Sequence, residues 1–169
     1  GEIKNTMCGI AGYLTLNGRA SAGTLHQMLS TIEHRGPDGL SGFVDKQVAL
    51  GTARLSIVDL EGGSQPALSE NRDVCVVFNG EIYNYLEERD LLIQKGHLFS
   101  TNSEVETLLG LYTEFGPKFV ERLNGQFAIA IWDGRNEALH LYRDRLGIRP
   151  LFWHRSNKGF IFASEIKSI

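Results

Sequence analysis

The chain has 169 residues, of which 42% are hydrophobic and 22% charged, and its formal net charge is -3. This length and balance are typical of one globular domain with its own core, and they exclude wholesale disorder. No apolar run is long enough to span a membrane, and neither sign of charge dominates, which argues against a basic nucleic-acid groove. Two cysteines, Cys8 and Cys75, are too few for a disulfide framework and favour a reducing, cytoplasmic compartment.

Hydrophobic periodicity and turn residues predict an alternation of strands and helices along the whole chain. Ser21 and Ser103 precede two of the helical patterns and are predicted N-caps, the second as part of a capping box with Glu106. In chain order we expect a strand at 10–16, a helix at 21–35, strands at 42–44 and 48–57, a loop at 61–64, a strand at 74–78, a helix at 85–94, a helix after 103, and strands at 126–132, 138–143 and 160–163.

The strand predicted at 126–132 has unequal faces. Phe127, Ile129 and Ile131 form a large face, whereas Ala128 and Ala130 form a small one. A small face allows another layer of structure to approach closely. Many strands with two or three helices predict an α+β fold in which sheets pack together and the helices lie outside.

Six segments carry a resemblance when taken in order. They read MCGIAG at 7–12, HRGPD at 34–38, RLSIVD at 54–59, NGEIYN at 79–84, RDRLGIRPL at 143–151 and ASEIK at 163–167. This series resembles the glutaminase domain of glutamine-hydrolysing asparagine synthetase, a class II glutamine amidotransferase of the N-terminal-nucleophile type. The resemblance covers nearly the whole chain and implies a four-layer αββα fold, with the domain at 8–169.

The resemblance makes Cys8 the catalytic nucleophile that attacks the side-chain amide of L-glutamine, giving glutamate and ammonia through a thioester. The family's nucleophile is residue one of the mature chain. A thiol ordinarily has a pKa of about 8.5 and an α-amino group about 7.7–8.0, so the amine of the same residue can accept the thiol proton near neutral pH. Without the other motifs, Cys8 would be interpreted as a small buried hydrophobe.

Asn79 and Gly80 correspond to the family's oxyanion hole. An Asn side-chain N–H and a Gly backbone N–H can both donate to the negative oxygen of the tetrahedral intermediate. The alternative interpretation is local, because Asn-Gly after a strand is a common turn pair.

The remaining substrate contacts are also implied by the resemblance. Arg54 would hold the α-carboxylate of glutamine through its guanidinium fork, with the backbone around Ile57 and Val58 beside it. Glu81 and Glu104 would face the α-ammonium group. The family usually has aspartate at the second position, so Glu104 is one methylene longer than expected. Its alternative role is a helix first-turn charge favoured by the helix dipole.

Residues 1–7 precede Cys8, and while Met7 is attached the nitrogen of Cys8 is an amide that cannot act as a base. Three explanations stay open: a tag remnant before a natural initiator Met7, a propeptide that Cys8 removes, or a domain without glutaminase activity. We expect the chain to be inactive in hydrolysis until this extension is removed.

His34 and Arg35 are interpreted as structural or near-site residues, and the polar segment around Asp144 as a brace for the site or for a domain contact. The histidine and cysteine spacings predict no metal site. The ATP-dependent synthetase domain of the family, with its ATP and Mg²⁺, has no counterpart motif here, so this chain would supply ammonia to such a domain or subunit.

Two alternatives to this function are the glutaminase part of another amidotransferase, in amino-sugar or phosphoribosylamine synthesis, and a non-catalytic docking or regulatory module with the same fold. A homodimer is left open, and no nucleic-acid, membrane or cofactor partner is expected for this chain.

Overall fold

The computed structural model describes residues 8–54 and 64–169. Within these two ranges the chain forms nine strands and three α-helices. In chain order they are β1 (Gly9–Thr15), α1 (Ala22–Ser30), β2 (Gly39–Asp45), β3 (Val48–Arg54), β4 (Ala67–Leu68), β5 (Val74–Ile82), α2 (Tyr85–Gln94), α3 (Glu104–Phe115), β6 (Gly125–Asp133), β7 (Ala138–Arg143), β8 (Phe152–Ser156) and β9 (Gly159–Ala163).

The strands form two antiparallel sheets that pack face to face. The first sheet has the order β2-β3-β1-β9-β8, and the second has the order β4-β5-β6-β7. Helix α1 packs on the outer face of the first sheet, and α3, with α2 beside it, packs on the outer face of the second. The predicted α+β fold with four layers in the order αββα is confirmed.

Strand β6 has the two faces that its sequence predicts. Phe127, Ile129 and Ile131 lie in the core beneath α3. Ala128 and Ala130 lie in the core between the sheets. Because these side chains are small, the layer between the sheets has room for the larger residues of the first sheet, such as Phe162.

Helix α1 is shorter than predicted. Ser21 caps it as expected, its Oγ accepting the Thr24 N–H at 3.4 Å, but the α-helix ends at Ser30 and a 3₁₀ turn follows at Glu33–Arg35. The prediction of one continuous helix to residue 35 is wrong. The turn redirects the chain so that Arg35 reaches the start of β1.

Helix α3 begins as the capping motif predicts, with Ser103 Oγ accepting the Glu106 N–H at 3.3 Å. The Glu106 carboxylate, however, accepts the N–H groups of Ser100 and Thr101, at 2.7 and 2.8 Å, rather than that of Ser103. The reciprocal half of the capping box is therefore replaced by a clamp on the preceding loop. This clamp fixes the position at which α3, and with it Glu104, begins.

Candidate active site

Cys8 directly precedes β1 and lies beside the end of β3. In the antiparallel pair of β1 and β3, Ile10 is opposite Thr52 and Gly9 is opposite Ala53. Extending this register by one residue places Cys8 opposite Arg54. Ile10 belongs to the core between the sheets. A side chain added at Gly9 would instead meet Ile32, which follows α1 in the core on the outer face of this sheet, at 2.9 Å. Since side chains alternate along a strand, Cys8 lies on the inner face.

The main chain of Cys8 is held by Arg35. The Arg35 Nε–H donates to the Cys8 carbonyl oxygen at 3.4 Å, and its Nη1 donates to Glu165 Oε1 at 3.1 Å. His34 Nε2 lies 2.9 Å from the same carboxylate oxygen. Burial alone would raise the pKa of Glu165, but its bonds to Arg35, Lys167 and His34 lower it. The HRGPD segment therefore contacts the residue predicted to be the nucleophile.

Asn79 and Gly80 lie inside a strand. The predicted strand at 74–78 continues to Ile82 as β5, and all nine of its residues pair with β6. The interpretation of Asn-Gly as a turn is therefore wrong. Gly80 has a φ of 151°, and an added Cβ would lie 2.1 Å from the Gln126 carbonyl oxygen, so only glycine fits.

The side chain of Asn79 lies on the inner face of the second sheet. Cys75 and Val77, at the alternate positions before it, belong to the core between the sheets, and small Ala128 is its cross-strand neighbour. Asn79 is 2% exposed, and its Nδ2 has no hydrogen-bond partner in the described part of the chain. A buried donor left unpaired costs about 1–3 kcal/mol, which a ligand oxygen could offset.

Gln65 aligns the two sheets at this end of the sandwich. Its backbone carbonyl accepts the Ser41 hydroxyl at 2.5 Å, and its side-chain Oε1 accepts the Phe78 N–H at 2.7 Å. Ser41 pairs with Thr52 in the first sheet, and Phe78 precedes Asn79 in the second. The end of β3 that carries Arg54 and the part of β5 that carries Asn79 are therefore at the same level.

Two carboxylates lie at the end of β5. Glu81 is exposed, and Gln126 Nε2 donates to its Oε2 at 3.4 Å. Glu104 Oε1, at the start of α3, accepts the Ile82 N–H at 2.9 Å. Burial raises the pKa of Glu104, the Ile82 hydrogen bond opposes this rise, and the charge of Glu81 adds to it. A bound cation would relieve the repulsion between these two groups.

Asp144 braces the loop next to this end of the second sheet. Its carboxylate accepts the backbone N–H groups of Phe127, Leu146, Ile148 and Arg149, at 3.2, 3.1, 2.9 and 3.0 Å. Burial alone would raise the pKa of Asp144, but these bonds lower it. Phe127 is the cross-strand partner of Gly80, so the brace supports the strand against which Gly80 packs.

Of the residues predicted from the sequence, Cys8 and Arg54 are brought together on the first sheet, and Asn79, Gly80, Glu81 and Glu104 along the end of β5. Ile57 and Val58 lie outside the described residues. Sequence reasoning missed Gln65, which no local pattern distinguishes from an ordinary loop residue.

Two kinds of feature are absent from the described residues. No helix in ranges 8–54 and 64–169 is long and apolar enough to cross a membrane. The same residues contain no group of three or more His, Cys, Asp and Glu side chains that could hold a metal ion.

Two antiparallel sheets between helical layers, with a cysteine at the start of a central strand, are the architecture of N-terminal-nucleophile amidotransferases. The structure is similar to a solved glutamine phosphoribosylpyrophosphate amidotransferase from B. subtilis, with a TM-score of 0.77 and 20% identity over 95% of this chain and 42% of that one. The chain belongs to the glutamine amidotransferase domain family, whose profile matches residues 7–169.

Curated relatives share this region at higher identity. The chain is 44% identical to asparagine synthetase [glutamine-hydrolyzing] 2 of Bacillus subtilis over 167 residues, and 40% identical to asparagine synthetase [glutamine-hydrolyzing] 1 of the same organism. Each match covers 96% of this chain but only 22% and 26% of the relative. The chain thus spans about a quarter of the length of these relatives.

Proposed function

We propose that the chain hydrolyses the side-chain amide of glutamine to glutamate and ammonia through a thioester on Cys8. The free α-amine of Cys8 accepts the thiol proton, and the sulfur attacks the amide carbon. Asn79 Nδ2 and the Gly80 N–H stabilise the negative oxygen of the tetrahedral intermediate. The protonated amine then gives its proton to the departing nitrogen, and water hydrolyses the thioester.

The buried, unpaired amide nitrogen of Asn79 is the observation that carries this proposal. A nitrogen with no partner in the described chain is ready to donate without first breaking another bond, which is what a preorganised oxyanion hole requires. Gln65 hydrogen-bonds to Ser41 in the first sheet and to Phe78 in the second. These bonds keep Asn79 and Arg54 at the same level of the sandwich, which supports the same function.

In this proposal the other side chains hold glutamine in place. Arg54 binds the α-carboxylate as a bidentate fork, and Glu81 and Glu104 attract the α-ammonium group. We also assign substrate binding to Ile57 and Val58, as the family resemblance implies.

The ammonia would serve asparagine synthesis, because the relatives of this region are named asparagine synthetases. We assign the ATP- and Mg²⁺-dependent step to a synthetase domain or subunit that is additional to this chain. No cofactor is assigned to the chain itself, and its compartment is proposed to be the cytoplasm, where its two cysteines would stay reduced.

The proposal is tested by comparing three forms of the chain for ammonia release from glutamine, with intact mass defining the first residue of each. The form that begins at Cys8 should turn over, whereas residues 1–169 and a Cys8→Ala variant of the shorter form should not. Full turnover with residues 1–7 still attached would contradict the role of the α-amine, and turnover of the Cys8→Ala variant would contradict the nucleophile.

A further inference from the structure

Thr52 is a buried polar residue that the proposed mechanism does not use. It lies in β3 opposite both Ile10 and Ser41, and its inner-face neighbour Leu50 belongs to the core between the sheets. Thr52 is 1% exposed, and its hydroxyl has no hydrogen-bond partner in the described part of the chain. Valine would fill nearly the same space without an unpaired group, so the hydroxyl needs another explanation.

The register places Thr52 near the predicted nucleophile, on the neighbouring strand. Cys8 and Thr52 lie on the same face of adjacent strands and are diagonal neighbours, because Gly9 and Ile10 pair with Ala53 and Thr52. Diagonal neighbours are separated by about 7–8 Å between Cα atoms. One water molecule, making two hydrogen bonds of about 2.8 Å, spans the gap that remains between such side chains.

Asn79 provides the second unpaired polar atom of this region. It lies on the inner face of the opposite sheet, at the level that Gln65 fixes relative to the Ser41–Thr52 pair. Asn79 Nδ2 and Thr52 Oγ1 are therefore two buried polar atoms without a partner in the described part of the chain, one on each of the two packed sheets, near the level of Cys8. Buried polar groups that lack a protein partner are commonly satisfied by an ordered water molecule.

We propose that the Thr52 hydroxyl positions the water that hydrolyses the Cys8 thioester. The water oxygen forms a bond to the thioester carbon, and the bond from that carbon to Cys8 Sγ breaks. The proton lost by the water passes to the α-amine of Cys8 and from there to the departing sulfur, which leaves glutamate and the free thiol. This inference rests on the proposed function, and Thr52 acts in it as a positioning residue.

The test compares Thr52→Val with Thr52→Ser in the chain that begins at Cys8. The valine variant should release its first equivalent of ammonia at the parent rate and then slow about 10- to 100-fold, because hydrolysis has lost a hydrogen bond while acylation has not. Intact mass should detect the accumulated acyl-enzyme. The serine variant keeps the hydroxyl and should behave like the parent.

Hydroxylamine distinguishes water positioning from a general structural effect. It attacks the thioester directly, so it should restore turnover of Thr52→Val and raise the ratio of γ-glutamyl hydroxamate to glutamate about tenfold or more over the parent. Thr52→Ala provides the same measurement if the valine variant does not fold.

Several results would overturn the inference. They are parent-like turnover in the variants that lack the hydroxyl, an equal loss in the first and later turnovers without an acyl-enzyme, or a serine variant as slow as the valine variant. If the parent itself releases no ammonia from glutamine, the proposed function is wrong and this inference falls with it.

Discussion

Replacing Asn79 with alanine should separate catalysis from stability. The amide nitrogen is buried and unpaired, so truncation removes a desolvation penalty of about 1–3 kcal/mol. The lost packing of a short side chain beside Ala128 offsets this gain, because it leaves a small cavity. The free energy of unfolding should therefore change by less than about 1 kcal/mol.

The rate should respond very differently. An oxyanion-hole donor is worth about 2.7–4 kcal/mol in the transition state, so kcat should fall about 10²- to 10³-fold while KM for glutamine changes little. The measurements are steady-state ammonia release and urea denaturation, both with the chain that begins at Cys8.

Asn84 provides the matched control. Its Nδ2 donates to the Arg122 carbonyl at 3.0 Å, and its Oδ1 accepts the Asn124 N–H at 2.9 Å. Asn84→Ala should therefore lose about 1–2 kcal/mol of stability and keep its kcat. An Asn79→Ala variant that is strongly destabilised but keeps the parent kcat would refute the assignment of Asn79 to the oxyanion hole.

Three further predictions concern the substrate carboxylate, the substrate ammonium group and the loop brace. Arg54→Lys should raise KM for glutamine about 10- to 100-fold with little change in kcat, because an ammonium group cannot replace the bidentate fork. For the parent, KM should fall as the pH rises through the raised pKa of Glu104, because only the ionised carboxylate attracts the ammonium group; a Glu104→Gln variant should lose this dependence. Asp144→Asn should lower the free energy of unfolding by about 2–4 kcal/mol, as measured in urea at neutral pH, because an NH₂ group would then face two backbone donors.

Each of these predictions has its control. An unchanged KM for glutamine in Arg54→Lys would contradict the proposal that Arg54 binds the α-carboxylate. Glu104→Asp keeps a carboxylate and should keep the pH dependence, whereas a pH profile of Glu104→Gln that matches the parent would contradict the role of Glu104. Exposed Asp90→Asn should leave stability unchanged, and an Asp144→Asn variant equally stable would show that the brace contributes little.

The lowered pKa of Asp144 also sets the sign of its pH dependence. The folded state keeps the carboxylate ionised at pH values where the unfolded chain binds a proton. The stabilisation is therefore present above the unfolded pKa and is lost as the pH falls through the folded one. In Asp144→Asn, the free energy of unfolding should therefore fall less steeply with decreasing pH than it does in the parent.

Elements with a strong local pattern were predictable from the sequence. Helix α2 begins and ends at the predicted residues 85 and 94, β7 spans the predicted 138–143, and Ser103 caps α3. In each case the pattern reports forces within a few residues: one buried face, a turn at each end, or a side chain that satisfies a free N–H group.

Elements that depend on contacts between distant parts of the chain were not predictable from the sequence. Asn79-Gly80 has the composition of a turn, but pairing with β6 extends β5 through it, and the gap beside Gln126 requires glycine. Strand β8 was missed because all its residues are exposed and it gains its order from pairing with β9. Residues after Arg54 in the predicted strand at 48–57, and 61–63 of the predicted loop, lie outside the described residues.

The site residues also fall into two groups, those that motifs predict and those that only the fold brings together. The motif series predicts roles for Cys8, Arg54, Asn79 and Glu104 by resemblance, because chemistry restricts which residue types can do this work, and these roles stay predictions. Contacts that hold the site, such as the Arg35 bond to the Cys8 carbonyl, join residues far apart in sequence and follow only from the fold.

Labelling by a reactive glutamine analogue tests most directly whether the Cys8 sulfur is aimed at a bound carboxamide. In the chain that begins at Cys8, the analogue should modify Cys8 stoichiometrically, glutamine should protect it, and buried Cys75, whose thiol pKa is raised by burial, should stay unmodified. Peptide mapping by mass spectrometry reads out both cysteines at once. A chain in which Cys8 does not react, or reacts no faster than with a simple alkylating agent and without protection by glutamine, would contradict the account.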